Sequence, residues 1–172
     1  MAEFEPIVSW VLRQEDSKLS GVVVNLGDNQ GLTRFGIGQK SNPDAPADFY
    51  TKPPVLALID AEKIYRAKYW NPIQGDLIES NDVAASLFSF CVQDGVSRAV
   101  KLLQSCLDLP ADGVMGPQTL AHTNAFGARI VGSTLRAAQA DWYRKKVDNQ
   151  PTDVRFLKGW LARANRIYPG LD

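Results

Sequence analysis

The spacing of apolar residues constrains this chain more than any other feature of its sequence. Apolar side chains recur three and four positions apart in successive segments, the pattern of helices that bury one face. Proline and glycine separate these segments, and Lys40–Pro54 holds enough prolines to exclude a regular helix or a central strand. We therefore predict roughly seven helices and at most one small β-hairpin, a mainly α (α+β) fold. The 172 residues suit one compact body.

Helix boundaries are predicted from capping residues. Asp60 is expected to cap a helix that runs through Trp70, and Asn81 or Asp82 to cap the next. Gly95 is expected to separate that helix from a fresh apolar stripe, and Gly116-Pro117 to begin a short helix.

The first apolar stripe carries a carboxylate. Its members are Phe4, Ile7, Val8, Val11 and Leu12, and Glu15 lies eleven positions after Phe4, almost three helical turns, on the same face. Burial there would disfavour the charged form, which is how a general acid is made. The alternative is that the helix ends near Leu12 and that Glu15 is solvated.

Charge is unevenly distributed, although the formal net charge is zero. Residues 1–128 hold 10 Lys/Arg against 15 Asp/Glu, and residues 129–172 hold 9 against 4. The basic segment either contacts an anionic polymer or is a solvated helix surface. Cys91 and Cys106 lie in helical patterns and are expected to be free buried thiols.

Several kinds of site are excluded by composition. His122 is the one histidine, without metal-ligand spacing, so neither a zinc site nor a serine or cysteine nucleophile is expected. Gly36-Ile37-Gly38 is not a dinucleotide fingerprint, and no nucleic-acid motif is present. The kind of site that remains is one in which carboxyl groups act as acids or bases.

Asp28 and Thr33 follow Glu15 by thirteen and eighteen positions. A helix-end acid followed by a hairpin bearing Asp and Thr can place three polar groups around one cleft, as glycoside hydrolysis requires. The alternatives are that Asp28 forms a turn with its neighbours and that Thr33 is an ordinary hairpin residue.

Several motifs in order resemble a known family. Asp28–Ile37 (DNQGLTRFGI), Asp60–Trp70 (DAEKIYRAKYW), Asp112–Leu120 (DGVMGPQTL) and Phe156–Arg163 (FLKGWLAR) carry the likeness. Together they resemble glycoside hydrolase family 108, the N-acetylmuramidases that include phage-type endolysins and secretion-activator proteins, joined to a peptidoglycan-binding segment. The resemblance implies a lysozyme-like fold with a catalytic half over residues 1–95 and a helical peptidoglycan-binding segment over residues 96–172, packed as one compact body.

The resemblance also implies roles for residues. Glu15 occupies the position of the catalytic acid that would cleave the β-1,4 bond between N-acetylmuramic acid and N-acetylglucosamine. Asp28 and Thr33 would orient water or stabilise the transition state, and no metal or cofactor is implied. Residues expected to contact the glycan or its peptide are Gly31, Phe35, Tyr69, Trp70, Ser89, Gln93, Asp112 and Thr119. The alternative for the aromatic residues is a place in the core, and for Asp112–Leu120 it is a loop and a helix start.

The chain departs from the family pattern within these motifs. Asp16-Ser17 stands in place of Gly-Gly, Gln30 replaces a glycine, and Asn25-Leu26-Gly27 replaces Asp-Pro. Ser89 and Gln93 stand where the family usually has Asp and Asn facing the cleft. These departures support an alternative function, that of a non-catalytic protein that binds peptidoglycan on a lysozyme scaffold.

Residues 1–6 contain two acidic side chains and no basic one, so we expect no signal peptide, and no segment is long enough to span a membrane. The expectation is a monomer made in the cytoplasm that acts on the wall in the periplasm. A holin or a secretion machine would export it, for lysis or as an antibacterial effector with an immunity protein.

Overall fold

The computed structural model describes residues 1–25, 27 and 31–170 of the chain. Those residues contain seven α-helices and three short strands, which confirms the mainly helical fold class. They divide into two compact units, the first comprising residues 4–68 and the second residues 69–172 with residues 1–3. The division predicted at residue 95 stays a prediction.

The first unit holds two helices and a small sheet. Its elements are α1 (Phe4–Glu15), β1 (Val24–Asn25), β2 (Leu32–Arg34), β3 (Ile37–Gly38) and α2 (Pro54–Tyr65). The strands are antiparallel in the order β1-β2-β3, with Val24 opposite Thr33 and Arg34 opposite Ile37. A third strand thus joins the predicted hairpin.

Helix α1 agrees with the prediction from its apolar stripe. All five stripe residues are buried, from Phe4 to Leu12, and the helix continues to Glu15 as its last residue. Because Glu15 is half-buried at the helix end, the alternative of a helix that stops near Leu12 does not hold.

Helix α2 begins seven residues earlier than predicted, since Pro53 and not Asp60 is its N-cap. Pro54 is its first residue, a position where the missing proline N–H costs no hydrogen bond, and Pro53 precedes it with extended backbone. Asp60 is therefore inside the helix and caps nothing. Its carboxylate pairs with the Lys52 ammonium at 2.5 Å, which links the helix to the proline-containing segment before it.

A buried arginine ties the first unit together. Arg34 is only 3% exposed, and its guanidinium donates to the carbonyl oxygens of Gly21 at 2.7 Å, Phe49 at 2.8 Å and Lys52 at 2.8 Å. These carbonyls belong to two irregular segments that have no ladder to satisfy them. One side chain thus holds both segments to strand β2.

The second unit consists of helices. They are α3 (Asn81–Asp94), α4 (Val96–Cys106), α5 (Pro117–Ala125), α6 (Ala128–Asn149) and α7 (Val154–Ala164). Ser80 is the N-cap of α3 and accepts a hydrogen bond from Val83 N at 3.3 Å, so the predicted caps Asn81 and Asp82 lie one and two residues too late. Gly95 separates α3 from α4 with a φ of 88°, as predicted.

Polar contacts connect the helices of this unit. The Gln139 amide of α6 donates to the Ser86 hydroxyl of α3 at 3.2 Å, and Arg136 pairs with Asp82 at 2.6 Å. Cys91 and Cys106 form no disulfide, and burial raises the pKa of both thiols. In the described part of the chain, no helix is both long and apolar enough to cross a membrane.

The arrangement around Arg34 predicts that its loss destabilises the protein. Arg34→Met keeps the side-chain length but leaves three backbone carbonyls without their donor, so we expect a loss of about 3 kcal/mol in the free energy of unfolding. Urea unfolding followed by circular dichroism measures it. Lys40→Met, at an exposed position of the same unit, is the matched control, and equal stability of the two variants would contradict the role given to Arg34.

Candidate active site

An open cleft of about 470 Å³ lies at the end of α1 in the first unit. It brings together three of the residues predicted from the sequence, Glu15, Thr33 and Phe35. The remaining lining residues are Asp16, Ser17, Ser20, Val22, Val24 and Gly36. A half-buried carboxyl group beside a hydroxyl group in an open cleft can exchange a proton with a bound molecule.

A tight turn brings the backbone against Glu15. Phe35 and Gly36 join β2 to β3. Both have positive φ, 49° and 74°, which is the backbone conformation that two-residue hairpin loops favour. A Cβ on Gly36 would lie 3.0 Å from Glu15 Oε2 and 2.9 Å from the Tyr65 hydroxyl. Only glycine fits, because both the backbone conformation and the space exclude a side chain.

Phe35 adopts a left-handed conformation that is costly for a residue with a side chain. Two contacts offset that cost. The buried Tyr65 hydroxyl donates to the Phe35 carbonyl at 3.0 Å, and the phenyl ring packs so closely on Gly21 that a Cβ there would lie 2.7 Å from Phe35 Cζ. The turn is therefore held from both sides in the position that places Gly36 beside Glu15.

Asp16 is turned onto the loop that follows α1. Its carboxylate accepts hydrogen bonds from Gly21 N at 2.8 Å, the Ser20 hydroxyl at 3.0 Å and Lys18 N at 3.3 Å. Burial opposes ionisation of Asp16, but these hydrogen bonds outweigh it and lower the pKa of Asp16 below its usual value of 3.8. Asp16 thus shapes one wall of the cleft by fixing residues 16–21.

The cleft has an apolar rim that sequence reasoning missed. Val22 is 64% exposed and Val24 45% exposed, and both line the cleft. They are two positions apart, so they project from the same side of the extended chain. The run of three valines at positions 22–24 was the signal that could have revealed this rim.

Of the other residues predicted in the hairpin region, Gly31 does not line this cleft. Asp28 lies outside the described residues. Gly31 has a φ of 73°, and a Cβ there would lie 3.2 Å from the Gln39 side-chain oxygen. The predicted roles of both residues stay predictions.

In the second unit, two predicted contact residues lie inside the packed core. Trp70 is fully buried, donates from its indole nitrogen to Asp76 at 2.9 Å and packs edge-on against Phe88. Ser89 is 5% exposed and accepts a hydrogen bond from Arg163 at 3.1 Å. The structure gives these two side chains a packing role in place of the predicted contact with a glycan.

Two further residues of the second unit that were predicted to contact the glycan are more accessible to solvent. Tyr69 is half-buried and Gln93 is exposed, both in the second unit. Their contact with a glycan stays a prediction.

Gln104 organises the Asp112–Leu120 motif. This buried amide donates to Asp112 at 2.7 Å and to the Thr119 hydroxyl at 3.1 Å, and accepts from Gly113 N at 2.9 Å. Its hydrogen bond and that from Val114 N lower the pKa of Asp112. Thr119 is 4% exposed, so its hydroxyl serves the fold, whereas Asp112 is exposed and its contact with a peptide stays a prediction.

The hydrogen bonds of Asp16 predict how stability depends on pH. A carboxyl group whose pKa is lowered by folding stabilises the fold above its unfolded pKa and loses that effect as the pH falls. Asp16→Asn should therefore unfold at lower urea concentration than wild type near neutral pH, and the gap should narrow at about pH 3. Asp44→Asn, exposed in the same unit, is the control. A gap that does not change with pH would contradict the assignment.

Comparisons with known proteins place the chain in a family. The family model described as glycosyl hydrolase 108 matches residues 8–95, and the model described as a predicted peptidoglycan domain matches residues 98–165. The search of curated proteins gives no match.

The solved structure of SagA from Brucella abortus is similar to this chain over most of its length. It is 28% identical, with a TM-score of 0.74, and the match covers 95% of this chain and 90% of SagA. This likeness confirms the lysozyme-like, mainly helical fold class. The sequence motifs, the family models and this structure agree: the chain belongs to glycosyl hydrolase family 108 and is a peptidoglycan-related glycoside hydrolase.

Proposed function

We propose that the protein is an N-acetylmuramidase, which hydrolyses the β-1,4 bond between N-acetylmuramic acid and N-acetylglucosamine in peptidoglycan. The observation that carries the proposal is the position of Glu15, half-buried in an open cleft beside Thr33, in a chain of this hydrolase family. The peptidoglycan domain over residues 98–165 supports the choice of polymer.

Glu15 is the general acid in this proposal. It protonates the oxygen that leaves as the glycosidic bond breaks, while positive charge develops at the anomeric carbon. Since residue 36 is a glycine, its backbone approaches the Glu15 carboxyl group closely and limits the positions that the carboxyl group can take. The apolar rim of Val22 and Val24 offers a surface for the less polar face of a sugar ring.

Thr33 lines the same cleft from strand β2 and is proposed to orient the attacking water or to stabilise the transition state. Asp28 is proposed as the second carboxyl group, at a position outside the described residues. Asp16 is a weaker candidate for that role, because its carboxylate is already held by three donors of its own loop.

The role of Glu15 predicts the effect of one conservative substitution. Glu15→Gln keeps the shape of the side chain but removes the acidic proton, so the rate at which purified peptidoglycan clears should fall by about 10³-fold. Turbidity measures the rate. Glu5→Gln, the same change at an exposed position of the same helix, should clear peptidoglycan as wild type does.

The outcomes of this experiment separate the candidate functions. Clearing by wild type and by Glu15→Gln alike rules out Glu15 as the acid. Clearing by neither supports the non-catalytic alternative, a protein that binds peptidoglycan. Borohydride reduction of the products tests the bond: N-acetylmuramitol at the new end supports a muramidase, whereas reduced N-acetylglucosamine contradicts it.

The close approach of Gly36 predicts a second loss of activity. In Gly36→Ala the methyl group would lie 3.0 Å from the Glu15 carboxyl group in a backbone conformation that alanine disfavours. We expect clearing to slow by about 100-fold, because a carboxyl group displaced by even 1 Å loses its alignment. Residue 27 also has a positive φ, but a Cβ there would meet none of the described residues within 4 Å, so Gly27→Ala is the control for backbone strain. Equal rates for both variants would show that the contact with Glu15 does not matter.

We further propose that the enzyme acts on the wall in the periplasm after export by a holin or a secretion machine. The genes beside this one distinguish the two routes. A neighbouring holin supports a lysis enzyme, and a neighbouring immunity protein supports an antibacterial effector.

A further inference from the structure

A second open groove, of about 580 Å³, lies between α4 and α6 in the second unit. Helix α4 supplies Ser97, Arg98, Lys101, Leu102 and Ser105, and α6 supplies Trp142. Leu102 and Trp142 also line a smaller adjoining cleft of about 210 Å³. The groove lies largely within the segment that matches the peptidoglycan domain, and no predicted site residue lines it.

The α4 wall presents a row of polar side chains, one of which, the Ser105 hydroxyl, already donates to the Lys101 carbonyl at 2.9 Å. Ser97, Lys101 and Ser105 are four positions apart, so their side chains follow one another along the helix. The turn at Gly113 packs against this row, since a Cβ there would lie 2.5 Å from the Ser97 hydroxyl and 3.1 Å from Lys101 Cε. The Asp112–Leu120 motif, held by Gln104, therefore supports the wall of the groove.

The opposite wall of the groove is formed by the indole ring of Trp142, which neighbouring side chains hold in place. Trp142 donates from its ring nitrogen to Asp94 at 3.3 Å, and the Arg98 guanidinium lies 4.7 Å from its ring centroid. The Asp94 side chain is 3% exposed and also approaches Lys146 at 3.4 Å and Arg98 at 3.6 Å. The carboxylate of this groove is thus already surrounded by donors and offers little to a ligand.

The groove therefore carries more positive than negative charge. Its ionisable lining residues, Arg98, Lys101 and Asp94, carry a net charge of +1. Lys101 is exposed and forms no ion pair with any residue in the part of the chain that the structure describes. A matching ligand must supply carboxylates, with an apolar portion for Trp142 and Leu102.

We infer that this groove binds a short acidic peptide of the class found in the stem peptides of peptidoglycan. Stem peptides carry free carboxylates beside small apolar side chains, whereas the hydroxyl and acetamido groups of a glycan are neutral and make no use of the Lys101 charge. The inference rests on the peptidoglycan domain and not on the role of Glu15. Through this groove the enzyme would hold the peptides while the cleft of the first unit takes the glycan.

The test measures binding of the free stem tetrapeptide, L-Ala-γ-D-Glu-meso-diaminopimelate-D-Ala, to the full chain by isothermal titration calorimetry. Because this probe has no glycosidic bond, its binding does not depend on whether the chain cleaves glycans. Wild type should bind it, and Lys101→Glu should raise the Kd by about tenfold or more. Lys101→Arg, which keeps the charge, should restore binding to near the wild-type value.

Lys158→Glu is the matched control, since it makes the same charge change at an exposed position of α7 outside the groove. Its Kd should stay within about twofold of wild type. Absence of tetrapeptide binding to wild type, or equal losses from Lys101→Glu and Lys158→Glu, would overturn the inference. A neutral oligomer of N-acetylglucosamine that competes with the tetrapeptide for this groove would also overturn it, in favour of a sugar site.

Discussion

The hydrogen bonds donated by the buried guanidinium of Arg34 are the interactions on which the first unit depends. Three backbone carbonyls from segments without regular structure accept these hydrogen bonds at 2.7–2.8 Å. A charge-assisted donor of this kind replaces the ladder that those segments lack. Since Gly21 ends the loop after α1, and Phe49 and Lys52 precede α2, Arg34 fixes strand β2 relative to both helices. Because the turn follows β2 directly, its position is fixed together with that strand.

The proposed acid depends on this chain of contacts. The turn after Arg34 places Phe35 under the Tyr65 hydroxyl and Gly36 against the Glu15 carboxyl group. Asp16 fixes the loop on the other side of the cleft. The family pattern has glycine where this chain has Asp16, but the carboxylate is taken up by its own loop. The departure is therefore accommodated by local hydrogen bonds.

Apolar periodicity predicted the helices, and it placed Glu15 on the buried face of α1. Both predictions succeed because they depend on residues that are close in sequence. The start of α2 at Pro54 was missed, since proline reads as a breaker unless it occupies the first helical turn. The roles of Arg34 and Gln104 were not predicted, because only the fold brings their hydrogen-bond partners together. From the sequence, Trp70 could be either a core residue or a surface on which a sugar ring stacks. Its burial in the structure shows that it is a core residue.

The account's central claim is that Glu15 donates a proton to the leaving group. The most direct test compares Glu15→Gln with wild type on the 2,4-dinitrophenyl glycoside of the wall disaccharide, whose leaving group needs no protonation. If the claim is right, the variant hydrolyses this glycoside within about tenfold of the wild-type rate while its loss on peptidoglycan is about 10³-fold. Equal losses on both substrates would contradict general acid catalysis by Glu15.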